Sequence, residues 1–432
     1  MARLIKRRWE PSLSSGLPRG DRQGCEYYAY LPDPLSGRAI NLTGETAADV
    51  ADAEQAVARL NAEAKTLVDT EAVARLLLRA EAVASSLIEG LEVGGRRLLK
   101  AEAARVMGDE PSDVTAIEVL NNIEAMSWAV ETLSNALSIT VEDILSIHRR
   151  LLAGTRLEEH GGVLRTTQNW IGGSEYNPCS AEFIPPPPEH VQALLEDLCA
   201  FCNGDSLPAV AQAAMAHAQF ETIHPFVDGN GRTGRALIHV ILRRRGLAPH
   251  VLPPVSLVLA TWATDYVAGL TATRYSGPQT SAAAQDGLNR WTGLFATATR
   301  RSVSDAEQYE ARVIEIQTEW RKRLGGVRAN SAADLLINAL PGAPIVTVQS
   351  AATLIGRSEQ AANQAVARLA DAGILRQINV GRRNRAFEAT EMIDAFTDLE
   401  RRLASPEADT NFSPPSRTVP RRPTRRRARI AT

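Results

Sequence analysis

The chain predicts a mostly α protein: a helical body interrupted by a small β-hairpin, followed by a winged helix-turn-helix module. Three observations carry this. Alanine is abundant among the 432 residues, and Ala, Val and Leu recur at helical spacing over long stretches. Residues 161–188 break that spacing with Gly, Ser, Asn and a run of prolines. After Gly325, three short helical patterns lead into two strand-like runs flanking a basic turn.

Residues 1–45 are rich in Pro, Gly and turn residues and predict an extended arm with one strand, Cys25 to Leu31. Ala47 to Leu67 and Glu71 to Ile88 show helical spacing, and Gly90 suits a C-cap. Glu89 sits at the unfavourable end of the helix dipole and shares a face with Ser85, four residues back. It is either a solvated surface residue or the partner of a distant cation. Asp113 to Leu137 and Thr140 to Leu152 predict further helices. Within 161–188, short strand-like pieces separated by Gly, Ser and Asn predict a β-hairpin flap whose edge can bind an extended segment, or else an ordinary loop. Glu189 to Asn203 and Leu207 to Ile223 deliver the chain to His224, and Leu237 to Arg245 carries it away. Leu257 to Leu270, Gln285 to Thr299 and Ser302 to Leu324 complete the body.

Ser331 to Leu340, Val346 to Ile355 and Glu359 to Ala372 are the helices of the last module, before the runs Ile374 to Val380 and Ala386 to Thr390. Arg382, Arg383 and Arg385 fall on its wing and Arg368 on its third helix, so both DNA and a protein partner stay open. From Ser405 the composition is that of a disordered basic tail. The resulting segments are 1–110, 111–325, 326–404 and 405–432.

A net charge of −2 gives no whole-molecule argument for nucleic acid. Of four cysteines, Cys199 and Cys202 form a Cys-x-x-Cys pair in a helical pattern with no second pair at zinc-ligand spacing, which reads as small buried hydrophobes in a reducing compartment. The charged N-terminus has no apolar core after it, and no apolar run approaches the roughly 20 residues that span a bilayer. The expectation is a cytoplasmic protein without a membrane segment.

The chemistry concentrates in His224-Pro-Phe-Val-Asp228-Gly-Asn230-Gly-Arg232-Thr-Gly-Arg235. Asp228 can hold a hard cation. Gly229, Gly231 and Gly234 let N–H groups approach an anion, and Arg232 and Arg235 can fork onto phosphate. His224 alone has an ordinary pKa near neutrality. Helical spacing resumes after Gly231, so the turn opens onto a helix N-terminus, which favours an anion.

These positions resemble the defining motif of the Fic family, His-Pro-Phe-x-Asp/Glu-Gly-Asn-Gly-Arg-x-x-Arg, at every fixed place. Ser85-x-x-x-Glu89-Gly90 resembles the family's inhibitory motif, and residues 161–188 resemble the flap that docks a target protein. The resemblance implies a helical Fic fold and transfer of AMP from ATP to a Ser, Thr or Tyr hydroxyl. It makes His224 the base, Asp228 the Mg²⁺ ligand, and the N–H groups of 229–231 with the Asn230 side chain a phosphate cradle. Arg232 would meet the leaving-group phosphates and Arg235 the γ-phosphate. Thr233 and Gly234 fit helix packing as well, and Phe226 a core anchor. Glu89 would pair with Arg235 and occupy the γ-phosphate site. Tyr266 is offered as a wall of the adenine site, or as a core aromatic. A homodimer is implied by the resemblance alone. The alternatives are removal of AMP at the same site, with Glu89 aligning water, and a nucleotide-sensing DNA-binding regulator.

Overall fold

The computed structural model describes residues 1–10, 19–64, 70–106, 108, 111–380 and 384–403. The basic tail 405–432 and the wing residues Arg382 and Arg383 lie outside the described residues. The N-terminal arm is a hairpin rather than a lone strand: β1 (Arg3–Trp9) pairs antiparallel with β2 (Cys25–Leu31), Leu4 opposite Tyr30. Next come α1 (Gly44–Ala64), α2 (Thr70–Ile88), α3 (Gly95–Val106), α4 (Val114–Leu133) and α5 (Val141–Leu152). The cap of α5 is a capping box, with Thr140 accepting from the Asp143 N–H and Asp143 from the Thr140 N–H. α6 (Val191–Cys202) and α7 (Ala209–Ile223) lead to the motif, and α8 (Asn230–Arg244) leaves it.

All fifteen residues of α7 are buried, so this is the central helix of the body. Its alanines and Gly234 of α8 let the two helices approach closely: a Cβ at 234 would lie 2.8 Å from Phe220 Cδ1. Gly234, offered above for phosphate, is therefore a packing position.

α9 (Val255–Thr261) and α10 (Ala263–Ala272) replace the single expected helix, bent by 99° at Trp262. α11 (Ala282–Arg323) instead runs unbroken through 42 residues where two helices were expected. At the expected break, the Thr299 and Ser302 hydroxyls donate back to the Phe295 and Thr299 carbonyls within the helix rather than diverting the backbone.

Two further expectations need correction. The 161–188 flap is not a regular hairpin: its strand pairing reduces to one bridge, Ile171 opposite Phe183. The prolines carry no N–H, and the Pro185 and Pro186 carbonyls accept from the Gln168 and Arg165 side chains instead of a strand. Nor are all cysteines reduced. Cys25 and Cys179, 154 positions apart, form a disulfide that ties β2 to the flap, while Cys199 and Cys202 are free and buried as expected.

The C-terminal part comprises α12 (Ala332–Ala339), β3 (Ile345–Val346), α13 (Val348–Ile355), α14 (Glu359–Asp371), β4 (Arg376–Val380), β5 (Asn384–Glu388) and α15 (Thr390–Leu403), with sheet order β3-β5-β4. Its core is not private. Leu76, Ala80 and Ala84 of α2 and Leu257 of α9 belong to the same buried apolar cluster as Trp320, Leu336, Val366 and Phe396. Leu77 and Ala82 of α2 join the main core with Met126, and Val83 joins a third cluster with Leu98 and Leu120. α2 thus buries three sides.

Trp291 of α11 is fully buried, packs on Tyr266 and Phe295, and donates its Nε1–H to the Ala214 carbonyl at 2.7 Å. Trp291→Ala should lower stability by about 3–5 kcal/mol, measured as the shift of the guanidinium denaturation midpoint.

Candidate active site

The site begins where α7 stops. His224 caps that helix in the left-handed region, φ 48° and ψ 62°, with its N–H on the Phe220 carbonyl at 2.9 Å. This conformation is costly for a residue with a Cβ. Pro225 follows and cannot extend the helix. Phe226 is fully buried and stacks on His148, ring centroids 3.7 Å apart and 7° from parallel. The Gly162 N–H donates to His148 Nδ1 at 3.0 Å, so the proton sits on Nε2, which donates to the Asp228 carbonyl at 2.9 Å. Gly229 turns the chain with φ 75° into α8, and a Cβ there would meet Leu151 Cδ2 at 2.8 Å.

The Asn230 side chain, expected to hold phosphate, is spent on the turn itself. Its Oδ1 accepts from the Phe226 N–H at 2.8 Å and its Nδ2 donates to the Phe226 carbonyl at 3.0 Å. Both ends of the amide close the loop, so its contribution to a ligand is to fix the main chain.

The two arginines differ in what is left of them. Arg232 is buried, donates Nη2–H to Asp228 Oδ2 at 3.1 Å, and has no partner on Nε or Nη1. Arg235 has a partner on each of its three nitrogens. Its Nε donates to Ser85 Oγ at 2.8 Å, and its Nη2 to the Ser85 carbonyl and to Glu89 Oε1, both at 2.7 Å. Its Nη1 faces the Tyr266 hydroxyl at 3.4 Å. Ser85 in the last turn of α2 and Glu89 just past its end therefore meet the last residue of the motif. Gly231 makes the meeting possible, since a Cβ there would run into Glu89 Oε1.

Tyr266 belongs to the core rather than to an open adenine wall. It is buried, lies beside the His217 ring, and its hydroxyl shares a 2.8 Å hydrogen bond with His217 Nε2. Asp228 is 47% exposed, with Arg232 as its side-chain partner. Among the described residues no three metal-binding side chains cluster. A lone exposed carboxylate still fits a cation that takes its other ligands from phosphate and water.

Burial pushes the His224 imidazole down to about 4, helped by Arg165 and Arg274 and opposed by Glu89. At neutral pH the ring is neutral and can accept a proton. Glu221, buried on α7, is pushed up to about 7 by its burial, against the pull of Arg235. For Glu89 burial acts upward, but Arg235, Arg232 and His224 outweigh it and hold the carboxyl below its ordinary value.

His148, Arg165 and Asn169 carry much of this architecture and have no sequence signal. Asn169 Nδ2 donates to the His224 and Phe226 carbonyls, both at 3.1 Å. Arg165 Nε donates to the His224 carbonyl at 2.8 Å.

The charge balance at Glu89 makes a direct prediction. Because its folded pKa is lowered, its contact with Arg235 is present above the ordinary 4.5 and is lost as pH falls through the lowered value. In Arg235→Met the burial effect remains without its main opponent, so the Glu89 pKa should rise relative to the parent, followed by carboxyl-carbon NMR.

Comparison with known proteins agrees with this geometry. The Fic/DOC family model matches residues 138–242, and the Fic/DOC family N-terminal model matches residues 47–131. The chain is 33% identical over 191 residues to Protein adenylyltransferase fic-1 of Caenorhabditis briggsae, covering 42% of this chain and 36% of that protein. It is 37% identical over 139 residues to Protein adenylyltransferase Fic of Drosophila grimshawi, covering 32% of this chain and 27% of that protein. The chain thus spans about a third of the length of these curated relatives. A crystal structure of a Fic family protein from Desulfovibrio desulfuricans G20 superposes with a TM-score of 0.50 at 20% identity, covering 81% of this chain and 97% of that one, and so shares the fold. Residues 47–131 and 138–242 are therefore the parts of this chain that match the Fic/DOC family, and both partners of the Glu89–Arg235 pair lie within them.

Proposed function

We propose that this chain is a protein adenylyltransferase that moves AMP from ATP to a hydroxyl of a target protein or of itself, restrained by Glu89. The observation that carries the reading is the set of groups around the Glu89 carboxylate: a neutral His224, a buried Arg232 with two unpartnered donors, and Arg235. Cationic donors at the N-terminus of α8 suit a polyphosphate. The imidazole suits a hydroxyl nucleophile, which needs a base.

In this reading His224 takes the proton of the attacking hydroxyl, whose oxygen bonds to the α-phosphorus while the bond to the β-phosphate oxygen breaks and pyrophosphate leaves. Arg232 offers Nε and Nη1 to the departing phosphates. The main-chain N–H groups at Gly229 to Gly231, held in place by the Asn230 amide, face the phosphate oxygens. Asp228 would hold Mg²⁺, which when bound neutralises charge on the polyphosphate. Glu89 occupies the guanidinium that would otherwise receive the γ-phosphate, so ATP cannot seat its phosphates fully. The cleft of about 450 Å³ bounded by Gln168, Trp170, Glu175 and Val227 would take the target segment against the flap.

A second reading, hydrolytic removal of AMP, draws on the solvent access that Glu89 keeps, its side chain being 35% exposed. Release of AMP from a modified target, lost on removing Glu89, would favour it. For residues 326–404 we propose a winged helix-turn-helix module, on the order of α12, α13 and α14 with the β3-β5-β4 sheet. Salt-dependent binding to a duplex would assign it to DNA.

Labelling with radioactive ATP tests the main reading. Glu89→Gly should raise AMP transfer by roughly 5–150-fold, and His224→Ala should lower it by about 10²–10⁴-fold. Equal labelling of wild type and His224→Ala would remove His224 as the base. The acid limb of the rate should lie near 4, not near the ordinary histidine value of 6.5, with activity falling as the ring protonates below it.

A further inference from the structure

α7 ends in the left-handed turn at His224, and four successive carbonyls, those of Ile223, His224, Pro225 and Phe226, leave the helical ladder there. Buried carbonyls need donors. Arg165 Nη2 reaches the Ile223 carbonyl at 3.3 Å, and Arg165 Nε the His224 carbonyl at 2.8 Å. The Arg165 N–H donates to the Pro225 carbonyl at 3.0 Å. Asn169 Nδ2 bridges the His224 and Phe226 carbonyls, and Asn230 Nδ2 adds a second donor to Phe226. The same guanidinium holds both ends of the flap, through the Thr167 carbonyl at 3.2 Å and the Pro186 carbonyl at 2.6 Å.

We propose that Arg165, with Asn169 beside it, is the positioning residue for His224: it holds the turn that presents the imidazole and fixes the flap to that turn. The proposal rests on His224 being the base of AMP transfer.

The choice of residue follows from the geometry. Arg165 is 4% exposed, and among the described residues no carboxylate forms an ion pair with it. Its charge is dispersed over carbonyls from three segments, which only a planar fork of five N–H donors can reach together. Burial lowers its pKa to about 10, so it stays charged at neutral pH. That charge, near His224, also opposes protonation of the imidazole. One side chain therefore sets the placement of the ring and helps to keep it unprotonated.

The test uses the full chain carrying Glu89→Gly, so that transfer is not limited by the Glu89–Arg235 contact. Arg165→Met should lower kcat by about 10²-fold, with little change in KM for ATP. Its acid limb should move up relative to the Glu89→Gly parent, because one of the two cations that disfavour the imidazolium is gone while burial and Arg274 remain. Arg165→Lys keeps the charge but not the fork, so the limb should return and kcat recover in part. Asn169→Ala, the milder change, should cost about 10-fold in kcat, since the Phe226 carbonyl keeps Asn230 and the His224 carbonyl keeps Arg165. It decides the matter if Arg165→Met does not fold, as judged by circular dichroism and gel filtration. Folded Arg165→Met with the parent kcat and acid limb would overturn the proposal. So would a fall in kcat with an unmoved limb that Lys does not relieve, or Asn169→Ala at the parent rate. His224→Ala runs alongside: if it labels as well as its parent, the base assignment itself fails, whereas an inactive His224→Ala beside normal Arg165 and Asn169 variants sinks the positioning role alone.

Discussion

The guanidinium of Arg235 is 1% exposed, and the site is arranged around keeping that buried cation satisfied. An unpaired charge at this depth would be costly. Ser85 supplies a hydroxyl and a carbonyl, Glu89 a carboxylate oxygen and Tyr266 a hydroxyl. Gly231 clears the space in which these groups converge, and Gly234 lets α8 sit deep enough against α7. The contact between α2 and α8 is in this sense the requirement of one side chain. A nucleotide that took Glu89's place would have to bring its own negative charge, which a phosphate does.

The same helix pair is joined a second time. Glu81, Ser85 and Glu89 stand four residues apart along one side of α2, and Arg235 and His239 stand four apart on α8. Glu81 is fully buried, with His239 Nε2 2.7 Å from its Oε1 and both the hydroxyl and the N–H of Ser256 donating to it. The polar seam therefore runs from the motif into the body and reaches α9. The two helices are joined by polar contacts, the hydrogen-bonded Glu89–Arg235 pair at one end and the close approach of Glu81 and His239 at the other, besides their apolar packing.

The twelve motif positions were legible because they are contiguous and each residue type has one chemical use. The Ser85–Glu89 face was legible from a four-residue spacing, and its partner from family resemblance. Arg165, Asn169 and His148 were not. They act on main-chain carbonyls, which every residue carries, so nothing at the accepting position marks the contact. Asn230 was recognised as important and given the wrong work, since both ends of its amide are spent on the Phe226 main chain, while Tyr266 follows the core alternative. The Cys25–Cys179 link joins segments 154 positions apart, a separation that spacing rules do not address. α11 looked broken because Thr and Ser compete for backbone in short-range patterns, yet inside a helix they can donate to the preceding turn.

The three-sided burial of α2 bears on how Arg235 can be freed. Moving the whole helix would expose Leu76, Leu77, Ala80 and Ala84 and open the cluster shared with Phe396. Glu89 stands beyond this packing, past a last turn in which Leu87 is exposed. That end is closed by the Gly90 N–H on the Leu87 carbonyl and the Leu91 N–H on the Ser86 carbonyl, with Gly90 at φ 81°. Separating Glu89 from Arg235 therefore asks for movement of this end alone, where Ile88 packs on the main core and Leu91 on the third cluster, and not of the whole helix. For the proposed function, the Glu89 contact would then act through the fraction of molecules in which Arg235 is free, a fraction that changes without movement of the helix body.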